Sequence, residues 1–149
     1  MICVSRILFL AALAATLPAS AAQEEGRESA FRPGVAVELL HRQPIGDVYF
    51  TNWFARLESE QGASRDVYFE TNDKFVNKGI IRLNCEDPEA DIDLVLYGSG
   101  DYGSAADRRE VTVRYADRRA WADGGYEALA GETPPFEFYS AALARFCAS

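Results

Sequence analysis

The feature that most constrains this chain is a cysteine, Cys147, followed by only two further residues. The chain has three cysteines, and Cys3 lies in an N-terminal segment typical of a secretory signal. Export would leave Cys85 and Cys147 as the only pair in an oxidising compartment, so one disulfide is possible. It would close a loop of 62 residues, for which chain entropy predicts about 4 kcal/mol of stabilisation. A redox-active pair is disfavoured, because the chain has no C-x-x-C motif and no histidine near either thiol.

The N-terminal segment has the three parts of a signal peptide over residues 1–21. Arg6 supplies positive charge, "ILFLAALAATL" is an apolar run too short to span a bilayer, and Ala19-Ser20-Ala21 fits a cleavage site. Residues 22–33 are small and charged without apolar periodicity, which predicts a flexible leader. Residues 34–149 suffice for a single globular domain. We expect a bacterial envelope protein, exported to the periplasm or released to the cell surface or medium.

The charge balance limits the partners of such a protein. The chain carries a net charge of −8, and removal of Arg6 with the signal makes the mature protein more negative. Nucleic acids and anionic membrane surfaces require a basic patch, so neither is an expected partner. We expect a protein partner, and no membrane insertion of the mature chain.

Alternating apolar and polar residues predict a series of short strands separated by polar turns. The candidate strands are "VAVELL", "DVYFET", "GIIRLNC", "DIDLVLYG" and "EVTVRYA". Strands that follow one another with short connections form a meander most simply. The last segment predicts a helix whose apolar face comprises Phe136, Tyr139, Leu143, Phe146 and Cys147. The predicted fold is α+β, an antiparallel meander of four to six strands with the C-terminal helix packed on it.

The run "YFTNWFARLESEQ" is ambiguous in its period. Phe50, Trp53, Phe54 and Leu57 have the i, i+3, i+4, i+7 spacing of one helical face, which favours an N-terminal helix packed on the sheet. Aromatic residues also favour pleated surfaces, so a strand over the same residues remains an alternative.

Residues that could carry catalysis or bind metal are few. His41 is the only histidine and has no identifiable nucleophile or carboxylate partner, which favours a structural role. Zinc needs three or four ligands, and the chain offers one histidine once its cysteines pair. The acidic stretch 86–93 could bind calcium but lacks the glycine and closing glutamate of an EF-hand, so a solvated hairpin is favoured. No cofactor and no metal is expected. A cell-wall hydrolase using two carboxylates remains the enzymatic alternative, with no residue to carry it.

The most distinctive surface segment is "YGSGDYGSAADRR". Tyrosine, serine and glycine together make adaptable contacts with rigid aromatic anchors, as in antibody binding loops. We predict Tyr97, Asp101 and Tyr102 as binding residues, although a glycine-rich connection between strands needs no partner. The expected function is a non-enzymatic binding module, with a periplasmic enzyme inhibitor as the alternative.

The order of elements resembles the small exported bacterial domains grouped with surface-adhesin protein E. The resemblance rests on "IIRLNCE", "YGSGDYGS", "RRAW" and "AALARFC" and covers about half of the mature chain, residues 79–147. It implies an antiparallel sheet joined to a helix by a Cys85–Cys147 disulfide, and binding of host or envelope proteins. Residues 34–77 match nothing in that group, so no binding residue is carried over.

Overall fold

The computed structural model describes residues 26–72, 77–98, 108–114, 119–122 and 133–148, with backbone alone for 119–122. These residues form one antiparallel sheet and one helix. The elements are β1 Arg27–Glu28, β2 Ala36–Ile45, β3 Tyr49–Gln61, β4 Ser64–Thr71, β5 Lys78–Asn84, β6 Ile92–Tyr97, β7 Arg108–Arg114, β8 Arg119–Ala122 and α1 Phe136–Phe146.

The strands lie side by side in the order of the chain, each antiparallel to the next. The predicted α+β meander with a C-terminal helix is confirmed. Its sheet is larger than the four to six strands expected, because β2 to β8 form seven strands and the two-residue β1 pairs with the start of β2. The extra strands are the aromatic run at β3 and β8, which was not among the candidate strands.

The aromatic run forms the long strand β3, so the helical interpretation is wrong and the alternative strand is correct. Trp53 and Phe54 point to opposite faces of the sheet, as adjacent strand residues must. The apparent helical spacing arose because both faces of this strand are apolar. Burial on two sides places aromatic residues at consecutive positions and removes the alternation that normally marks a strand.

Helix α1 packs on one face of the sheet, here called the helix face. Its buried residues are Phe138, Tyr139 and Ala142. Phe138 joins Trp53 and Phe69 in a triangle of rings whose centroids are 5.8 to 5.9 Å apart, the tilted or edge-to-face packing that aromatic pairs prefer. The apolar side predicted for α1 included Tyr139, Leu143, Phe146 and Cys147, which do contact the core. It omitted Phe138.

The predicted Cys85–Cys147 disulfide is confirmed, with Cα atoms 5.2 Å apart. Cys85 directly follows β5, and Cys147 directly follows α1. The bridge therefore attaches the C-terminal end of the helix to the centre of the sheet. Within the described ranges, no helix has both the length and the apolar character needed to cross a bilayer.

The opposite face of the sheet, here called the outer face, is partly covered by residues 26–35. The sequence predicted a flexible leader through residue 33, but the chain from Arg27 onward lies against the sheet. The reason is Glu70, which is 0 % exposed and accepts hydrogen bonds from Arg27 Nη2 at 2.5 Å, the Ala30 backbone N–H at 3.0 Å, and the Ser29 hydroxyl. A buried carboxylate needs such donors, so the segment is part of the domain. The predicted signal peptide, residues 1–21, lies outside the described residues and stays a prediction.

Candidate functional site

The meander separates its connections into two groups at opposite ends of the sheet. Because each strand reverses direction, the β2–β3, β4–β5 and β6–β7 connections leave the sheet at one end, here called the hairpin end. The β3–β4 and β5–β6 connections, with the disulfide next to the latter, lie at the other end. The hairpin end therefore collects three connections, among them residues 98–107, which contain Asp101 and Tyr102, two of the three predicted binding residues.

The β2–β3 hairpin extends beyond its neighbour at this end. The β3–β4 ladder stops at the pair Trp53↔Thr71, whereas β3 continues to pair with β2 as far as Ile45↔Tyr49. The four additional residues of β3 add about 13 Å at the rise of an extended strand. Among the described residues, 49–52 pair with β2 alone. Within the described part of the chain the hairpin is a two-stranded ribbon, and we call its end, residues 44–50, the hairpin tip.

The hairpin tip is apolar and exposed. Its large side chains are exposed by 48 % at Ile45, 74 % at Val48, 75 % at Tyr49 and 47 % at Phe50. The turn between Ile45 and Tyr49 has three residues, and its first, Gly46, takes a positive φ of 62° that favours glycine. Turns are usually polar, so four exposed apolar side chains in and beside the turn at the end of a ribbon are a feature that folding of this domain does not require.

Both faces of the hairpin tip carry apolar groups. Tyr49 lies on the side of Trp53, which is the helix face, and Phe50 lies on the side of Phe54, which is the outer face. On the outer side the Arg42 guanidinium stacks 3.9 Å from the centre of the Phe50 ring. Where the ribbon joins the sheet, Trp53 Nε1–H donates a 2.9 Å hydrogen bond to Gln43 Oε1. The ribbon is thus fixed at its base while its tip remains exposed.

The structure places one of the three predicted binding residues. Tyr97 is the last residue of β6, is half-buried, and pairs with Lys78 on one side and Arg108 on the other. Asp101 and Tyr102 lie outside the described residues. Since β6 is three strands from β3, the point where this loop begins is about 15 Å from the β2–β3 ribbon. The two surfaces leave the same end of the sheet but start from separate strands.

A shallow depression of about 300 Å³ lies on the outer face over β5 to β7. Its lining includes Ile80, Val95, Arg82, Arg108 and Glu110. Three of the charged groups there are already paired, because Arg82 makes hydrogen bonds of 2.7 and 3.1 Å to Asp66, and Arg108 lies 2.5 Å from Glu110.

This pairing has a measurable electrostatic consequence at Asp66. The hydrogen bond from Arg82 lowers the pKa of the Asp66 carboxyl and raises the pKa of the guanidinium. A charged ligand would have to break these pairs, so the depression is a weaker candidate site than the hairpin tip.

The buried network around Glu70 is structural in its geometry. Tyr68 donates a 2.8 Å hydrogen bond to Glu70, and burial raises the pKa of the Tyr68 phenol. Arg27 lies 4.0 Å from the ring centre of Phe54, and the Lys78 ammonium lies 4.5 Å from that of Phe31. These contacts hold residues 26–35 over the sheet.

The residues considered for metal binding or catalysis lie in β2, in the connection after β5 and at the start of β6. His41 is half-buried in β2, opposite Trp53. In the acidic stretch, the Asn84 side chain accepts hydrogen bonds from the backbone N–H groups of Glu86 and Asp87, and Asp91 lies 3.6 Å from Arg114. In the part of the chain that is described, no three His, Cys, Asp or Glu side chains cluster in a way that could hold a metal ion.

No protein-family model, curated protein or solved structure matches this chain. The resemblance to the surface-adhesin protein E group therefore rests on the sequence motifs alone and stays a prediction. Sequence reasoning named Phe50 only as part of a helical stripe, and it missed Ile45 and Val48. The available signal was the composition of "PIGDVYF", in which a glycine turn is flanked by apolar residues on both sides.

Proposed function

We propose that this protein is an exported, non-enzymatic binding module of the bacterial envelope that contacts a protein partner through its hairpin tip. The observation that carries the proposal is the exposure of Ile45, Val48, Tyr49 and Phe50 at the end of a ribbon that projects from the sheet. Single exposed apolar residues are common on soluble proteins, but a cluster of four on one projection is typical of an interaction site.

The composition of the hairpin tip fits a protein partner. Tyrosine, phenylalanine and arginine are enriched in the central parts of protein interfaces. The tip contains Tyr49 and Phe50, and Arg42 beside the tip stacks on the Phe50 ring. The ribbon is anchored to the sheet through the Trp53–Gln43 hydrogen bond, so little ordering of the backbone is required on binding. Export and the choice of an envelope partner are supported by the signal-like residues 1–21 and by the resemblance described above.

The predicted loop 98–107 is a second possible contact surface of the same module. Tyr97 and Arg108 place its two ends at the hairpin end of the sheet. A large partner could therefore contact both the hairpin tip and the residues around Tyr102.

The proposal is tested by a photo-crosslinking amino acid placed at position 49 in the full-length protein in intact cells. Position 60 is the matched control, because Glu60 is exposed on the same strand at the opposite end of the sheet. A third variant carries the crosslinker at position 102. We expect one discrete protein adduct from position 49 and none from position 60. Absence of a discrete adduct from both 49 and 102, with the protein exported and folded, would contradict the proposed function.

An inhibitor of a periplasmic enzyme is the second candidate, and the projecting ribbon favours it specifically. A narrow, anchored and apolar projection is a shape that can occupy the cleft of an enzyme, as preorganised inhibitory segments do. The identity of the captured partner separates the two: a hydrolase or protease whose activity falls on addition of the purified module supports inhibition.

A further inference from the structure

The shape and charge of the hairpin tip indicate what kind of surface the partner presents, an inference that rests on the proposed function. A two-stranded ribbon has two faces, and a flat partner or a membrane surface would cover only one of them. Here the helix-face side presents Tyr49 and the outer side presents Phe50, exposed by 75 % and 47 %. Apolar exposure on both sides is matched only by a partner that encloses the ribbon.

The apex of the tip carries one charge. Asp47 is exposed in the turn between Ile45 and Tyr49, and no hydrogen bond or ion pair joins its side chain to the described residues. An enclosed carboxylate without a partner is strongly unfavourable, so the surface that meets the apex must offer donors or a positive charge. The net charge of −8 points the same way, because a basic partner surface would attract this protein from a distance.

The same charge argues against a lipid bilayer as the occupant. Insertion of the tip would carry the Asp47 carboxylate into the hydrocarbon first, ahead of the apolar groups that would gain from burial. The negative protein would also be repelled by anionic lipids.

We propose that the partner is a protein with an apolar cleft that encloses the hairpin tip on both sides and presents a cationic or hydrogen-bond-donating group at its floor to Asp47. Tyr49 contacts one wall of the cleft, Phe50 contacts the other, and Asp47 faces the floor.

The test places the photo-crosslinking amino acid at position 49 or at position 50 of the full-length protein and maps the crosslinked peptides of the captured partner. We expect the same partner from both positions, with peptides from opposing walls of one cleft. Capture from only one of the two positions, or mapping of both to one flat surface, would overturn the cleft. Capture from position 102 with none from 49 or 50 would overturn it while leaving a binding function in place, whereas no adduct at any position would overturn both.

Two variants test the apex charge in the same experiment. Because a charge-assisted hydrogen bond is stronger than a neutral one, Asp47→Lys should lower the adduct yield from position 49 by at least about tenfold, and Asp47→Asn by a smaller factor. An adduct yield that Asp47→Lys leaves unchanged would contradict a cationic or hydrogen-bond-donating group at the floor of the cleft.

A separate experiment tests the membrane alternative. The purified protein is sedimented with vesicles of phosphatidylethanolamine and phosphatidylglycerol. We expect the protein not to co-sediment with these vesicles. If it does bind them, and the Val48→Ser, Tyr49→Ser protein does not, the tip contacts a membrane surface and the proposed cleft is wrong.

Discussion

Two stretches of the same strand have opposite environments. Trp53 and Phe54 are 2 % and 1 % exposed, whereas Tyr49 and Phe50, four residues earlier, are 75 % and 47 % exposed. The residue types and the backbone conformation are alike, so the difference comes from the neighbours. Trp53 packs between β4 and the helix, and Phe54 lies under the N-terminal segment, but 49–52 pair with β2 alone among the described residues. Exposure of the aromatic residues along β3 thus changes between Phe50 and Trp53, although Thr51 between them is still buried.

The comparison separates apolar residues that hold the fold from apolar residues that are free to contact a partner. Substitutions of similar size should therefore affect stability differently, depending on whether they remove the exposed aromatic side chains at positions 49 and 50 or the buried ones at positions 53 and 54. The following predictions test that division, starting with the largest expected effect.

Replacement of Trp53 by alanine should strongly destabilise the protein. It removes a side chain that packs against Phe69 and Phe138 and that donates to Gln43, and large aromatic truncations in cores cost about 3 to 5 kcal/mol. Phe50→Ala is the matched control and should change the free energy of unfolding by less than about 0.5 kcal/mol. Urea unfolding of both purified variants measures the difference, and equal losses would show that the tip contributes to the core.

Loss of the disulfide should lower the stability of the fold and leave the contact made by the hairpin tip unchanged. Cys85→Ser or Cys147→Ser opens a loop of 62 residues, for which the expected cost is about 4 kcal/mol. Under conditions where the variant remains folded, crosslinking from position 49 should persist, because the bridge lies at the other end of the sheet. Oxidised wild type melting at the same temperature as either variant would contradict a stabilising bridge.

The Glu70→Gln substitution tests how firmly the outer side of Phe54 is covered. The change keeps the shape of the side chain but removes the charge that Arg27 pairs with and one of the oxygens that accept hydrogen bonds, so a loss of about 2 kcal/mol is expected. Glu110→Gln, on an exposed pair with Arg108, should cost less than about 1 kcal/mol. If both substitutions cost the same small amount in thermal unfolding, residues 26–35 do not depend on the buried carboxylate.

The pair Asp66–Arg82 on the outer face should contribute least, and in a pH-dependent way. Because the folded-state pKa of Asp66 is lowered, its ionised form favours folding above the unfolded value of 3.8, and this contribution is lost as the pH falls through the folded pKa. Asp66→Asn should therefore cost up to about 1 kcal/mol at pH 7 and less at pH 3. Urea unfolding of the wild type and the variant at both pH values measures this cost. If their midpoints differ by the same amount at pH 7 and pH 3, the ion pair is not the cause of the difference.

Sequence patterns predicted the elements that have one apolar face. Ile92, Leu94 and Leu96 alternate with polar residues and do form a half-buried strand, and the periodicity near the C-terminus correctly predicted α1. Patterns were least informative where burial occurs on two sides, as at Trp53 and Phe54. Phe138 was also missed, although it is fully buried.

Other features depended on contacts between segments distant in sequence. Nothing in the local composition of "GRESAFRP" distinguishes a flexible leader from a packed segment. The placement of residues 26–35 depends on Glu70, which is more than forty residues from Arg27 and Ser29. Likewise the close packing at Gly79 in β5 depends on β6, because a Cβ there would come within 2.2 Å of the Val95 carbonyl oxygen. The exposed hairpin tip could be located only when the end of β4 was known.

The claim that the hairpin tip makes the contact, and is not needed for folding, is tested most directly by one crosslinking yield. The photo-crosslinking amino acid is placed at position 50 of the Val48→Ser, Tyr49→Ser protein, and the adduct is compared with that from the same position in an otherwise native chain. If the hairpin tip makes the contact, the adduct yield of the doubly substituted protein should be lower by at least about tenfold, and its melting temperature should be unchanged. An undiminished yield from a folded protein would contradict it.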